Sequence, residues 1–338
     1  MTTQQYKASI TLKPEDLDPA DPDGEIAAMA EACRNWGRWG EDDVLGTLNY
    51  ITAEHRKKAA GLVHTGQVIS LSQKFDMDGP QKGWRRRTNP VHTMLNTGTD
   101  AERGVQGFPH GIGGADDVIA MPLQCSTQWD GLGHIFDRGY AWNGRAAGDV
   151  VTADGDLLTG IEHVAKQGVT ARGVLLDVGR FLEPESGELA DGHAITVSEL
   201  EDCIAAQGQS SFVGTADIVV VRTGQLSRVK REGWGDYAGG PAPGLSFTTA
   251  PWLHSTEIAA IATDTWGFEV RPNEFHEAFQ PLHQIAIPNI GLTIGELWDL
   301  DDLAAACHAD KRYDFLLVAA PLSITNAVGS PLNPIALR

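Results

Sequence analysis

The sequence predicts an α/β protein built as one large domain behind an N-terminal arm, and three observations carry that reading. "GVLLDVG" (Gly173 to Gly179) and "DIVVVRTG" (Asp217 to Gly224) are short apolar runs, rich in β-branched residues and bounded by glycine, which is the pattern of buried strands. Between them "TVSELEDCIAAQG" opens with Thr196 and Glu199 at capping-box spacing and closes on a glycine, the signature of a helix. Finally, 338 residues with 42% hydrophobic content, no internal repeat and no low-complexity tract suffice for one large core.

The remaining elements come in chain order. Residues 1–45 read as an arm that packs on a neighbouring subunit, Pro- and Asp-rich in "LKPEDLDPADPDGE" and helical near "IAAMAEACRNWGRWG". Residues 46–338 form the domain. "LNYITAEHRKKAAGLV" predicts a turn and a helix, "QVISLSQKFD" a strand with period-two apolar positions, and "KGWRRRTNPVHTML" an irregular basic segment. "IAAIATDTW" and "YDFLLVAAPLSIT" are further apolar segments, the second a late strand. The glycine-rich "GFPHGIGG" (Gly107 to Gly114) neither follows a strand nor opens a helix, so it reads as a mobile loop, a lid rather than a nucleotide cradle.

Composition narrows the partners. Twenty-six basic against 45 acidic residues give a net charge of −19, which argues against nucleic acid and against anionic membranes, and leaves a small molecule as the expected ligand. Cys33, Cys125, Cys203 and Cys307 are widely spaced and form no CxxC, so they read as reduced thiols of a cytoplasmic protein. The start, "MTTQQYKASITLKPEDLDPADPDGE", lacks the basic and apolar regions of a signal peptide. The longest apolar run, "FLLVAAPL", is far short of the roughly 20 residues that span a bilayer.

Chemistry concentrates in "TQWDGLGH" (Thr127 to His134). On an extended segment Gln128 and Asp130 point to one side and Trp129 to the other. Gly131 and Gly133 then allow a bend that returns His134 toward the same point. Amide oxygen, carboxylate and imidazole together suit a borderline divalent ion such as Zn²⁺ or Mn²⁺. The competing reading is that Asp130 and His134 cap turns in a glycine-rich loop. A second donor pair, His283 and Glu296, flanks a Pro-Asn turn in "PLHQIAIPNIGLTIGELWDLDDLA". There, "TIGE" (Thr293 to Glu296) also matches a capping box, so Glu296 has a helix-capping alternative.

In order along the chain, "LGTLNYIT", "NPVHTMLNTGTD", "STQWDGLGHIF", "ARGVLLDV", "VVVRTGQ", "GLSFTTAPWLH", "EIAAIATDTWGFEV", "HQIAIPNIGLTIGELWDLDDLA" and "GSPLNPIAL" resemble the cyclase family of metal hydrolases. That family includes bacterial kynurenine formamidases and isatin hydrolases, and the resemblance, to its longer branch, covers roughly residues 36–338. It implies a single-domain swivelling β/β/α fold with central mixed β-sheets or a barrel and flanking helices. It also implies a homodimer or homotetramer. The family hallmark is H-x-G-T-H-x-D-x-P-x-H, whose first two histidines and aspartate surround the metal and whose last histidine serves proton transfer. Asp130 matches the aspartate, His134 the last histidine and Thr127 the threonine; Gln124 and Gln128 stand where the first two histidines would be, and Ser126 and Leu132 replace the glycine and proline. Two missing imidazoles imply one metal rather than two. His283 and Glu296 match the family's late ligands.

The implied ligand set is therefore Gln128, Asp130, His134, His283 and Glu296 around one divalent ion, Mn or Zn. His134, Asp264 and Arg222 are the candidate catalytic groups. Asp264 matches a family aspartate near the site, with a turn or cap as its alternative, and Arg222 closes a strand where it either holds a substrate carbonyl or carboxylate or pairs internally. His92 and Asn96 are candidates to reach the pocket from a loop. A metal-polarised carbonyl and activated water fit hydrolysis of a C–N bond in a small aryl or cyclic amide, with a lactone and its C–O bond as the alternative. A binding protein that kept the fold without catalysis is the reading from another class. No GxSxG, Walker A or HExxH sequence supports a different catalytic plan.

Overall fold

The structure is a computed structural model that describes residues 12–338, so residues 1–11, with the polar start expected for the arm, lie outside the described part. Nine strands form one mixed sheet, curled into a half-barrel. In chain order they are β1 (Val68–Ser70), β2 (Gln128–Asp130), β3 (Thr170–Leu176), β4 (Ile218–Val221), β5 (Ala260–Thr263), β6 (Thr293–Glu296), β7 (Asp314–Val318), β8 (Gly329–Pro331) and β9 (Ile335–Leu337). Across the sheet the order is β1-β9-β7-β3-β4-β5-β6-β2-β8. The central strands β3 to β6 run parallel, and the flanking pairs are antiparallel.

The parallel centre explains the unbroken apolar runs. Val174, Leu176, Val219, Val221, Ile261 and Ile294 face one core. Ala171, Leu175, Ile218, Val220, Ala260 and Ala262 face the other, with Trp129, Phe315 and Trp298. A strand buried on both faces has no polar side to alternate with. The main helices are α1 (Pro22–Ala32), α2 (Ala53–Ala60), α3 (Val197–Gln207), α4 (Gln225–Glu232), α5 (Pro281–Ile285) and α6 (Asp301–Asp310). The expected capping box holds α3: Thr196 Oγ1 accepts from the Glu199 backbone N–H at 3.3 Å, and the Glu199 carboxylate accepts from the Thr196 N–H at 2.8 Å.

Two local expectations change. "TIGE" is strand β6 rather than a helix start, because it pairs on both sides, with β5 and with β2, and those ladders outweigh a local capping pattern. The segment "NPVHTML" is ordered as Val91–Asn96, the first strand of a hairpin with Asp116–Ala120 that is exposed along its length. The segment expected as an arm packs on its own chain: Leu12, Leu17, Ile26, Met29 and Cys33 join the core beside β3 and β4.

Two glycines let the chain close up around β2 and β6. A Cβ on Gly133 would sit 2.1 Å from Asp156 Oδ2, and one on Gly295 would meet Ala262, Trp129 and Trp298 at 2.7 to 2.8 Å. Both are glycines because neighbours approach closely, and at Gly295 the absence of a side chain lets β6 lie against the Trp129–Trp298 pair, whose ring centroids are 4.8 Å apart. If α1 is part of the folding core, Met29→Ala, at a fully buried position, should cost about 2–5 kcal/mol in urea unfolding. A change below about 0.5 kcal/mol would mark α1 as a dispensable arm.

Candidate metal centre

Strand β2 delivers the first donors. In its register Gln128 lies opposite Glu296 and Asp130 opposite Ile294. Gln128 and Asp130 share one face, where Gln128 Nε2 donates to Asp130 Oδ1 at 3.2 Å and across the ladder to Glu296 Oε2 at 3.0 Å. Trp129 points the opposite way, into the core, and donates to Ala319 O at 2.7 Å.

His283 arrives from α5, which is followed by a π-helical turn (Ala286–Ile290) containing the Pro288–Asn289 pair. Its Nε2 lies 3.0 Å from Glu296 Oε1 and its Nδ1 lies 2.6 Å from Glu269 Oε1. Glu269 also accepts from the backbone N–H groups of Leu282 and His283, at 3.0 Å each, so one buried carboxylate fixes both the helix start and the ring. This carboxylate–imidazole arrangement orients a metal-ligating histidine and raises its basicity. The result is convergence: Asp130, His283 and Glu296, all buried, offer ligand atoms within 4.8 Å of one another. His134 stands at the edge, its Nε2 3.7 Å from Asp130 Oδ1.

Electrostatics follow from burial. For His283, burial alone would lower the pKa, but hydrogen bonds and charge from Glu269 and Glu296 outweigh it and raise it to about 10. Burial pushes the Asp130 carboxyl above its ordinary range, with His134 acting to lower it and Glu296 to raise it further. His134 is held below the usual imidazole value by burial, against the pull of Asp130. An imidazolium clamped between two carboxylates supplies the positive charge that buried acids need.

The donors fit a divalent cation. Two carboxylates and an imidazole are joined by Gln128 Oε1, a buried acceptor without a hydrogen-bond partner, and half a turn of that amide exchanges its oxygen with the nitrogen now facing Asp130 and Glu296. This mixed oxygen and nitrogen set suits Mn²⁺ or Zn²⁺.

The other sequence candidates lie elsewhere. Asp264 is buried and accepts from Thr223 N–H, Thr223 Oγ1 and Gly224 N–H, each at 2.8 Å, binding the end of β4 to the end of β5. Arg222 pairs with Asp177 at 2.9 Å and with Asp301 at 3.0 Å, and donates to Ser227 Oγ. His92 lies on the exposed hairpin, 2.7 Å from Asp117. Cys125 is buried, and that burial pushes its thiol up to about 11, away from nucleophilic use. Glu269 carried no sequence signal of its role, because it lies fourteen positions before His283, a spacing with no periodic meaning; the one available hint was an acidic residue in the apolar run "WGFEV".

Comparison with known proteins agrees with this architecture. A family model described as "Putative cyclase" matches residues 48–270, more than half of the chain. A crystal structure described as a novel cyclase is 39% identical, with a TM-score of 0.81 over 91% of this chain and 99% of that one. The chain belongs to the cyclase family. Isatin hydrolase A from Labrenzia aggregata, bound to benzyl benzoate, is 17% identical with a TM-score of 0.55 over 82% of this chain and 94% of that one. Isatin hydrolase A from Ralstonia solanacearum is 15% identical with a TM-score of 0.58 over 80% and 91%. Among curated protein sequences there is no match.

A ligating nitrogen must be bare, so a cation that uses His283 must expel its proton. Metal affinity of the chelated protein should rise about tenfold per pH unit between about pH 7 and pH 9, measured by calorimetric titration in buffers of different ionisation heat. The folded value, about 10, lies above the unfolded one, so the stabilisation from the protonated ring is full below about 6.5 and is lost as pH rises toward 10. Glu269→Gln should weaken metal binding by roughly 10–100-fold and flatten that slope.

Proposed function

We propose that this protein is a metal-dependent hydrolase that cleaves the C–N bond of a small aryl or cyclic amide. One observation carries the reading: three buried metal-seeking side chains, drawn from β2, α5 and β6, converge beside a histidine that lines an open cavity. A protein that only binds has no need to bury two carboxylates at this cost. The likeness of fold to isatin hydrolases, whose name denotes hydrolysis of a cyclic amide, supports the same class.

Asp130, His283 and Glu296 would hold one divalent ion, Mn or Zn, with Gln128 Oε1 as a further donor, and His134 beside them would stay free to move protons. A bound ion supplies Lewis acidity, polarising a carbonyl and acidifying water. The rest belongs to the chain. The cavity, about 270 Å³, is lined by Arg85, His134, Ile135, Phe136, Phe279 and Gln280, room for one small ring and its acyl group. His134, neutral at pH 7 because burial holds its pKa down, can take a proton at Nε2 as water adds to the carbonyl carbon and return it to the departing nitrogen. Arg222 and Asp264 act as positioning residues for β4 and β5.

A lactone is the second reading. It is favoured if proton delivery matters little, since an alkoxide leaves more readily than an amide nitrogen. His134→Ala should cut kcat on an amide such as N-formylkynurenine or isatin by roughly 10²–10⁴-fold. Little loss on a lactone panel, with faster lactone than amide turnover by the parent enzyme, would assign the C–O bond instead. Asp130→Asn should abolish both bound metal and turnover. Full turnover without metal in that variant would overturn the metal-dependent reading.

We further propose that the chain is a homodimer or homotetramer of the cytoplasm. No helix of the described residues is long and apolar enough to cross a membrane, and all four cysteines are free and buried. The hairpin of Val91–Asn96 and Asp116–Ala120 exposes Val91, Met94, Leu95, Val118 and Ile119, and its connecting loop exposes Val105, Phe108 and Ile112. An isolated two-stranded hairpin is marginal in water, and an apolar patch of this kind marks an interface. Light scattering should give a multiple of the 36.3 kDa chain, and Leu95→Asp with Ile112→Asp should shift it toward one.

A further inference from the structure

A second cavity, about 690 Å³ against about 270 Å³ beside His134, takes no part in the hydrolytic scheme. Its walls are Leu12 to Glu15, the strand residue Ala194, and the first two turns of α3, where Glu199, Glu201 and Asp202 line it. The described chain therefore begins on the wall of this cavity. Lys13, at φ −114° and ψ 155°, is extended, so the backbone arrives there in strand geometry.

The cavity borders an open strand edge. Ala194–Ile195 pairs in parallel with Gly244–Leu245 as a two-stranded sheet of its own. Gly244 N–H donates to His193 O at 3.1 Å and Ser246 N–H to Ile195 O at 2.9 Å. Backbone groups of successive strand residues point to opposite edges, so the N–H and C=O of Ala194 point away from Gly244, to an edge on which no strand pairs among the described residues. An edge of this kind is a template for one more strand. The other side of the pair leads to the metal centre. Leu245 N–H donates to Phe268 O at 3.2 Å and Val270 N–H to Leu245 O at 3.1 Å, on either side of the Glu269 that holds His283.

The residues that precede Leu12 have the sequence of that strand. From Tyr6 the chain reads "YKASITLK", apolar at 6, 8, 10 and 12 and polar at 7, 9, 11 and 13, which is the period of a strand with one buried face. Leu12 is in the core at 3% exposure, and strand parity sends Ile10, Ala8 and Tyr6 to its side. Charge agrees: in a chain with 45 acidic residues, residues 1–11 hold one lysine, Lys7, and no acid, and the cavity next to them carries three carboxylates of α3. Six extended residues reach about 20 Å, enough to run from Leu12 past Ala194 on the wall of the same cavity.

We propose that this cavity is the docking site of residues 6–11 of the same chain, which add as a strand to the free edge of Ala194 with Ile10 turned inward and Lys7 among the carboxylates of α3. The occupant comes in cis because Leu12 is itself part of the wall. A tether that short gives the segment an effective concentration on the order of millimolar, which a free copy does not match.

The test is amide hydrogen exchange at Ala194 in the full chain, read by mass spectrometry of fragments that contain it, together with binding of a dye-labelled peptide of residues 1–12. The wild-type chain should protect the Ala194 amide and leave the peptide unbound, since its own segment fills the edge. Ile10→Asp should speed exchange at Ala194 by about tenfold or more and raise affinity for the peptide by roughly the same factor. Ser9→Gln, on the opposite side of the strand, should leave both readings within about twofold. Adding Ala194→Pro to Ile10→Asp removes the N–H from an edge where proline is tolerated, and should prevent the peptide from binding; circular dichroism checks that each variant is folded. Exchange at Ala194 unchanged by Ile10→Asp, or equal effects at positions 9 and 10, would overturn the proposal. Protection that disappears on dilution, as copies separate, would give the edge to a second copy's segment and overturn it as well.

Discussion

Two buried carboxylates held side by side are the constraint on which the rest of this structure depends. Asp130 and Glu296 lie in the sheet interior, where their charge is costly unless a cation shares the space. His283 answers that need as an imidazolium, and a divalent ion answers it better, with two charges and free coordination positions. Folding therefore prepares the same pocket for either occupant, and the proton on His283 links ion binding to pH.

The sheet makes the arrangement possible. Four parallel strands provide a rigid centre buried on both faces, and the antiparallel strand β2 then inserts between β6 and β8, which brings Gln128 opposite Glu296. Period-two geometry does the rest, sending Gln128 and Asp130 to the site and Trp129 to the core. The glycine at 295 removes the side chain that would hold β6 away from Trp129 of β2. Glu269 then fixes the ring of His283, so that three distant parts of the sequence meet with little freedom left.

Much of this was legible in the chain because it depends on local rules. The runs around Leu175 and Val219 announced buried strands, and Thr196 with Glu199 announced a capped helix. The same-side placement of Gln128 and Asp130 followed from strand parity alone. The pairing of those residues with His283 and Glu296 came from resemblance to the cyclase family, since no spacing links position 130 to position 296. What stayed hidden was tertiary. Thr293 to Glu296 carries a capping pattern that only its two neighbouring strands override. Glu269 has no periodic relation to its histidine. In a row of three arginines nothing local says that the third turns inward while the first two stay in solvent, because that depends on left-handed backbone at non-glycine positions.

The central claim is that Asp130, His283 and Glu296 form a metal centre, and the most direct measurement is an anomalous difference map from crystals grown with Mn²⁺ and collected where manganese scatters anomalously. The account predicts one strong peak per chain within coordinating distance of all three side chains, with His283 Nε2 turned from proton donor to ligand. No peak there, or a peak coordinated by other residues while His283 still bridges Glu269 and Glu296, would contradict it.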